Sequence, residues 1–260
     1  MTSIRSKSIG LVLSGGGVRG MAHIGLIKAM EEFGLKADVV AGSSVGALVG
    51  ALYAAEKSVD DMLRFFKETP LFKYNYFAVA KPGLINTERY IDIFQHYFPE
   101  NSFESLKKEL HVVATNLELG QEIFINSGEL IKPLLASAAL PPVFSPVLYN
   151  GAFHADGGIM NNFPSEPVLN QVEYLIGSNV SIVSKLDKKY LNNSFQLTAR
   201  VTGLMIYAIN RDKIHKCNLV VEPQALEHIG ILDRKGIEKA YALGYEAAVR
   251  QLETLDLAKS

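Results

Sequence analysis

Cysteine is nearly absent from this 260-residue sequence, occurring only as Cys217. A lone thiol excludes an internal disulfide and a cysteine-based metal site, and it suits a reducing compartment without demanding one. An excess of charge of either sign is also missing: Lys+Arg 26 against Asp+Glu 27 leaves a net charge of -1. That balance excludes a binder of nucleic acid or anionic lipid that works by bulk charge. Long hydrophobic runs are lacking as well. The longest charge-free stretches, 39–55 and 133–155, are broken by Gly42, Ser43, Ser44 and Gly46 and by Pro141, Pro142 and Pro146, so neither reads as a spanning helix. Behind Arg5 and Lys7, the apolar stretch Ile9 to Leu13 runs into Ser14-Gly15-Gly16-Gly17, too short for a signal core. These absences lead us to expect a soluble, cytoplasmic protein. With 48% hydrophobic and 20% charged residues, the chain is no disordered segment and has ample material for a core.

What is present alternates between short apolar strands and amphipathic helices, the pattern of an α/β fold with a mostly parallel central sheet flanked by helices. Strands are expected at Ile9 to Leu13, Asp38 to Ala41, His111 to Asn116, Gln121 to Asn126, Tyr174 to Ile176 and Leu219 to Val221. Helices are expected from about Ile24 to Phe33, Val45 to Glu56, Val59 to Glu68 after a Ser58 cap, and Glu88 to Tyr97 after a Thr87 cap. Further helices are expected over Leu130 to Ala139, Phe195 to Ile209 and Lys235 to Leu252. Neither an internal repeat nor a linker divides the chain, and Ser184 to Asn193 reads as an exposed connection. Phe72, Tyr74, Tyr76 and Phe77 crowd a segment without clean period, which reads as a packed surface excursion or, alternatively, a lid. From Ile182 to Lys216, seven basic residues face two acidic ones. This local excess reads as a solvated face, with an anionic head group as the alternative partner.

Three short motifs carry the chemistry. Gly42-Ser43-Ser44-Val45-Gly46 lies between a strand and a helix and has the form of a nucleophile elbow. The chain reverses so tightly there that side chains two before and two after the serine would collide. Ser44 then stands at the sheet's end beside a helix N-terminus, where developing negative charge is favoured. Ser14-Gly15-Gly16-Gly17-Val18-Arg19-Gly20 is a second strand-to-helix junction. Gly15, Gly17 and Gly20 satisfy a dinucleotide fingerprint in form, but Asp38 begins its strand instead of ending it, and no Gly-Lys-Ser/Thr follows for a phosphate loop. Bare amides on such a run suit an oxyanion hole, and Arg19, permanently charged, is read as ordering the loop. The third motif is Asp156-Gly157-Gly158, a carboxylate sterically free to meet another side chain. Of the six histidines, only His215 and His228 come late enough for a Ser-acid-His order, and each sits in an ordinary context.

Taken in order, Gly15-Gly16-Gly17-Val18-Arg19-Gly20, Gly42-Ser43-Ser44-Val45-Gly46 and Asp156-Gly157-Gly158 resemble the patatin-like phospholipase family, most of all its short bacterial members. Met21-Ala22-His23-Ile24-Gly25, Ala136-Ser137-Ala138-Ala139-Leu140-Pro141 and Asn161-Asn162-Phe163-Pro164 add smaller matches, so that the resemblance spans Ser14 to Pro164. It implies a three-layer sandwich forming one catalytic domain over 1–260, and a Ser-Asp dyad without histidine. Ser44 would be the nucleophile, Asp156 the base and the Gly15, Gly16 and Gly17 amides the oxyanion donors, with Arg19, Gly20, Gly42, Gly46, Gly157 and Gly158 supporting the motifs. The implied reaction is hydrolysis of lipid or phospholipid acyl esters, with no metal or other cofactor, no nucleic acid and transient contact with a membrane surface. Two rival readings stand beside it: an α/β-hydrolase esterase with a Ser-Asp-His triad, and a lipid-binding regulatory protein of low turnover.

Overall fold

The computed structural model describes residues 4–69, 83, 85–183, 185–188 and 191–257. The crowded aromatics Phe72 to Phe77, expected to form an excursion or a lid, lie outside them. Strand β1 (Ile9–Leu13) is buried at every position, and helix α1 (Met21–Glu32) follows the glycine loop. Next come β2 (Val39–Ser43), α2 (Val45–Ala54) and α3 (Val59–Glu68). The Ser58 cap forms as expected, its hydroxyl accepting from the Asp61 amide at 3.1 Å. Helix α4 (Ile91–Tyr97) departs from expectation. It is preceded by a 3₁₀ turn, Thr87–Tyr90, capped by the Asn86 side chain, because the Thr87 hydroxyl is taken by the Ser145 carbonyl at 2.6 Å.

The middle of the chain supplies β3 (Glu109–Asn116), β4 (Gln121–Ile125), α5 (Ile131–Ser137), β5 (Val147–Tyr149) and β6 (Ala152–Asp156). After α6 (Glu166–Leu169) come β7 (Tyr174–Ser178), α7 (Ser194–Asn210), β8 (Leu219–Val221) and α8 (Ile237–Leu257). The eight strands form one sheet in the order β5-β6-β3-β2-β1-β7-β8, with β4 also on β3. Its centre, from β3 to β8, is parallel, and the pairings of β3, β4, β5 and β6 with one another are antiparallel. The result is a mixed α/β sheet with helices on both faces, the three-layer arrangement expected. Side chains alternate: Leu11, Leu13 and Val40 enter the larger core, whereas Val12, Val39 and Ala41 pack on the other face against Phe163 and Val168. No helix among the described residues is long and apolar enough to cross a membrane.

Two features of this framework position the motif residues. Strand β3 serves two partners in succession, pairing Val113 with Ser43 of β2 and then Ala114 with Asp156 of β6. The β4 ladder occupies 112–116 on β3, so β6 must take up the edge that β2 leaves. The ends of the second and sixth strands are thereby held one residue apart. Meanwhile α1, which begins directly behind the glycine loop, is pressed against α8. A Cβ added at Gly25 would overlap the Tyr241 carbonyl oxygen, and one at Gly244 would overlap the Ala22 backbone. Replacing Gly244 with valine is expected to cost roughly 2–3 kcal/mol by overpacking this contact, read as a lower urea midpoint at unchanged slope.

Candidate active site

The chain reverses at Ser44, whose φ of 54° and ψ of -128° lie where a non-glycine residue is strained. Neighbouring atoms hold it there. A Cβ at Gly46 would overlap the Leu13 carbonyl oxygen, and one at Gly42 would lie 2.5 Å from the Gly46 carbonyl carbon, so both positions exclude a side chain. The Ser44 amide donates to the Ser137 hydroxyl at 2.9 Å, which fixes the turn from the neighbouring helix α5. Half-buried, Ser44 then directs its hydroxyl at Asp156 and donates to Oδ2 at 2.7 Å.

Asp156 is 3% exposed and receives a second hydrogen bond from the Gly158 amide to Oδ1 at 2.8 Å. Burial raises its pKa from the ordinary 3.8 to about 6, against the lowering effect of the Ser44 and Gly158 hydrogen bonds. Gly157 turns the chain where a Cβ would press on the Ser43 hydroxyl and the Val113 side chain. The carboxylate thus sits at a strand end with one oxygen on a backbone amide and the other on the serine.

The glycine loop lies beside this pair. Its three amides differ: Gly15 donates to the Asn162 carbonyl at 3.2 Å, so its proton is already engaged. The expectation of three oxyanion donors is narrowed accordingly to Gly16 and Gly17, whose amides have no partner among the described residues. Gly17 has φ of 59°, and a Cβ there would overlap the Ile231 carbonyl oxygen. Arg19 spans the back of the loop, donating from Nε to the Ile229 carbonyl at 2.7 Å and from Nη1 to that of Ile182 at 2.9 Å. It fastens the loop to the C-terminal half of the chain. Gly20 faces Val45, whose methyl groups leave no room for a side chain.

His23 adds a further anchor that the motifs did not reveal. Fully buried, it faces the Ser14 carbonyl with Nε2 at 2.9 Å and the Ser178 hydroxyl with Nδ1 at 2.8 Å. A carbonyl only accepts, so Nε2 carries the proton and Nδ1 accepts from Ser178. Desolvation lowers its pKa to about 4, leaving a neutral ring tied to the loop. None of the six histidines is hydrogen-bonded to Ser44 or lines the cavity in front of it. His228 is exposed beside Glu227, His215 is exposed near the chain's surface, and His154 is buried with Nδ1 on the Ala152 carbonyl. The loop-anchoring roles of two other residues escaped the sequence reading. Asn162 reaches the Gly15 carbonyl with Nδ2 at 3.4 Å, and Asn210 accepts from the Asn162 amide at 2.9 Å and the Phe163 amide at 3.3 Å. Asn162 lay in a quoted motif, whereas Asn210, 48 residues away, left no local signal.

Ser44, Asp156 and Gly15 to Gly17 open onto a cavity of about 490 Å³. Its walls are mainly apolar, with Leu48, Phe66, Phe94, Leu135 and Phe144 among them, and a row of small polar side chains from α7. Such a space suits an extended hydrocarbon group next to a polar reacting centre.

The buried carboxylate has a consequence for stability. The folded protein holds the Asp156 proton up to about pH 6, whereas the unfolded chain releases it near 3.8. Between these values the folded state binds more protons, so the contribution of this group falls as pH rises, by about 3 kcal/mol in all. Asparagine at this position mimics the protonated acid. Asp156→Asn is therefore expected to be more stable than wild type at pH 8, with the difference shrinking as pH falls from 6 to 4. Parallel denaturation curves across that range check it, and a pH-independent difference would remove the assigned cause.

The Patatin-like phospholipase family pattern matches residues 11–169, which include every motif residue of this site. Among relatives, an uncharacterized NTE family protein of Mycobacterium tuberculosis is 32% identical over 166 residues, 63% of this chain and 46% of that one. Lysophospholipase nte1 of Aspergillus fumigatus is 29% identical over 197 residues, 70% of this chain and 12% of the relative. The chain thus spans less than half the length of these curated relatives. Among solved structures, VipD from Legionella pneumophila superposes with a TM-score of 0.65 at 16% identity, covering 95% of this chain and 66% of that one, a likeness of fold. With the family pattern covering more than half of its residues, this chain belongs to the patatin-like phospholipase family.

Proposed function

We propose that this chain, acting as one catalytic domain, hydrolyses acyl esters of lipids or phospholipids through a Ser44-Asp156 dyad. The observation that carries the reading is the 2.7 Å hydrogen bond from the Ser44 hydroxyl to a buried carboxylate, at the edge of an apolar cavity. Ser44 Oγ attacks the ester carbonyl carbon as its proton passes to Asp156. The carbonyl oxygen becomes an oxyanion held by the Gly16 and Gly17 amides, beside the N-terminus of α2. Collapse of this intermediate expels the alcohol, which takes the proton from Asp156. Water then attacks the acyl-serine, gives its proton to Asp156 and releases the fatty acid, while Ser44 recovers its proton. No metal or other cofactor is needed for these steps.

Desolvation supports the base. An aspartate at its ordinary pKa is a poor proton acceptor, whereas one near 6 is better matched to neutral operation and still ionised there. The apolar walls support an acyl chain, and the likeness to lysophospholipase nte1 of Aspergillus fumigatus supports a lysophospholipid as the first substrate to try.

Fluorophosphonate labelling and turnover of short-chain esters, long-chain esters and lysophospholipids test the reading together. Wild type is expected to label and turn over, and Ser44→Ala to do neither. Asp156→Asn is expected to lose roughly a thousandfold in kcat, the scale of removing a member of a nucleophile-base pair. Equal rates for wild type and Asp156→Asn would sink the dyad. The wild-type rate is expected to rise with pH through about 6 and then level off, because only ionised Asp156 accepts the serine proton.

A further inference from the structure

Helix α7 has the opposite of the usual surface pattern. Leu197, Val201, Leu204, Met205 and Ile209 are all exposed, between 40% and 61%, and their spacing places them on one continuous arc. On the adjoining row, Ser194, Thr198, Thr202 and Ile206 recur every fourth residue and line the cavity in front of Ser44. Of its described side chains only that of Asn210 is fully buried. One helix therefore forms a wall of the cavity and presents an apolar ridge outward. A water-facing helix of a globular domain has no reason for such a ridge.

Charge surrounds the ridge. Lys185 and Lys188 precede α7, and Arg211, Lys213 and Lys216 follow it, all of them exposed except the half-buried Lys213. Lys213 pairs with Glu166 at 2.7 Å and Arg211 with Asp212 at 3.2 Å, and Asp187 stands between Lys185 and Lys188, which leaves a net excess of cations at the two ends of the helix. In a chain of net charge -1 this is a local concentration. An apolar arc bracketed by cations is the pattern of a helix lying in a lipid interface, its apolar side chains among acyl chains and its lysines at anionic head groups. A second copy of the chain would fit the ridge, but it would bring the same cations against one another.

We propose that the outer face of α7 docks on an anionic lipid surface, setting the cavity that opens on Ser44 against the membrane. The proposal rests on the lipid-ester reading for its purpose, while docking itself needs no turnover. The chain contains no tryptophan, so Met205→Trp installs a single reporter at the ridge. In a Ser44→Ala background, which leaves the lipid intact, this variant is mixed with vesicles of phosphatidylcholine and phosphatidylserine. Its emission is expected to shift to the blue and to be quenched by acyl chains carrying bromine. Binding is expected to weaken with added salt and on vesicles of phosphatidylcholine alone. The pair Val201→Glu and Met205→Glu is expected to lower the bound fraction roughly tenfold or more, while hydrolysis of a soluble short-chain ester stays unchanged. Unquenched emission from vesicle-bound protein would mean that another face docks and would overturn the proposal. So would a dimer that the glutamate pair dissociates with vesicle binding intact, since the ridge would then be an interface between copies. Absent ester hydrolysis with vesicle binding as expected would count against the dyad alone.

Discussion

The site depends on how β3 divides one of its edges between two strands. Val113 faces Ser43 and the next residue, Ala114, faces Asp156. Had β2 continued, Ser44 would occupy the place that Asp156 takes. Instead the chain turns away through a strained conformation, and β6 fills the edge from the opposite direction. A serine and a carboxylate 112 residues apart are thus brought within 2.7 Å by backbone pairing, before any side-chain preference enters. The strain at Ser44 is held by close backbone contacts around Gly42 and Gly46 and by the Ser137 hydroxyl on the turn's amide.

The surrounding polar groups answer to this crowding. A buried carboxylate needs hydrogen bonds, and Asp156 has two, one from the Gly158 amide and one from Ser44 itself. They do not cancel desolvation, and the residual penalty raises its pKa to about 6. What weakens the fold at neutral pH is therefore what makes the carboxylate a better proton acceptor. The glycine loop obeys the same logic: the Ser14 carbonyl meets His23, the Ser14 hydroxyl receives the Val180 amide, and the Gly15 amide meets Asn162, while the Gly16 and Gly17 amides have no partner among the described residues.

Much of this was legible in the sequence because it is local. The strands at 9–13 and 219–221, the Ser58 cap and the glycines flanking Ser44 each express a short-range requirement, and short-range requirements leave short-range patterns. Long-range requirements do not. The Thr87 hydroxyl abandons its helix for the Ser145 carbonyl 58 residues away, so a well-placed threonine failed to cap. The Gly15 amide looks as bare as its neighbours until Asn162, 147 residues on, is brought against it. Strand β5 has three residues in a proline-rich stretch and exists only because β6 offers an edge. The apolar character of α7 could be read from its letters, but the direction of its ridge could not.

Asn210 joins the two halves of the picture. It is the last residue of α7, and its side-chain oxygen accepts from the amides of Asn162 and Phe163 while its nitrogen donates to the Ile206 carbonyl at 2.7 Å. Through Asn162 the same connection reaches Gly15, whose amide and carbonyl are both engaged by that residue. A single buried amide therefore ties the helix that walls the cavity to the loop that carries the free Gly16 and Gly17 amides. An amide suits this task better than a carboxylate or an apolar side chain. It satisfies two backbone donors and one backbone acceptor without burying a charge, where either alternative would leave buried polar groups unpaired. The cavity wall and the glycine loop are therefore braced by one continuous set of hydrogen bonds.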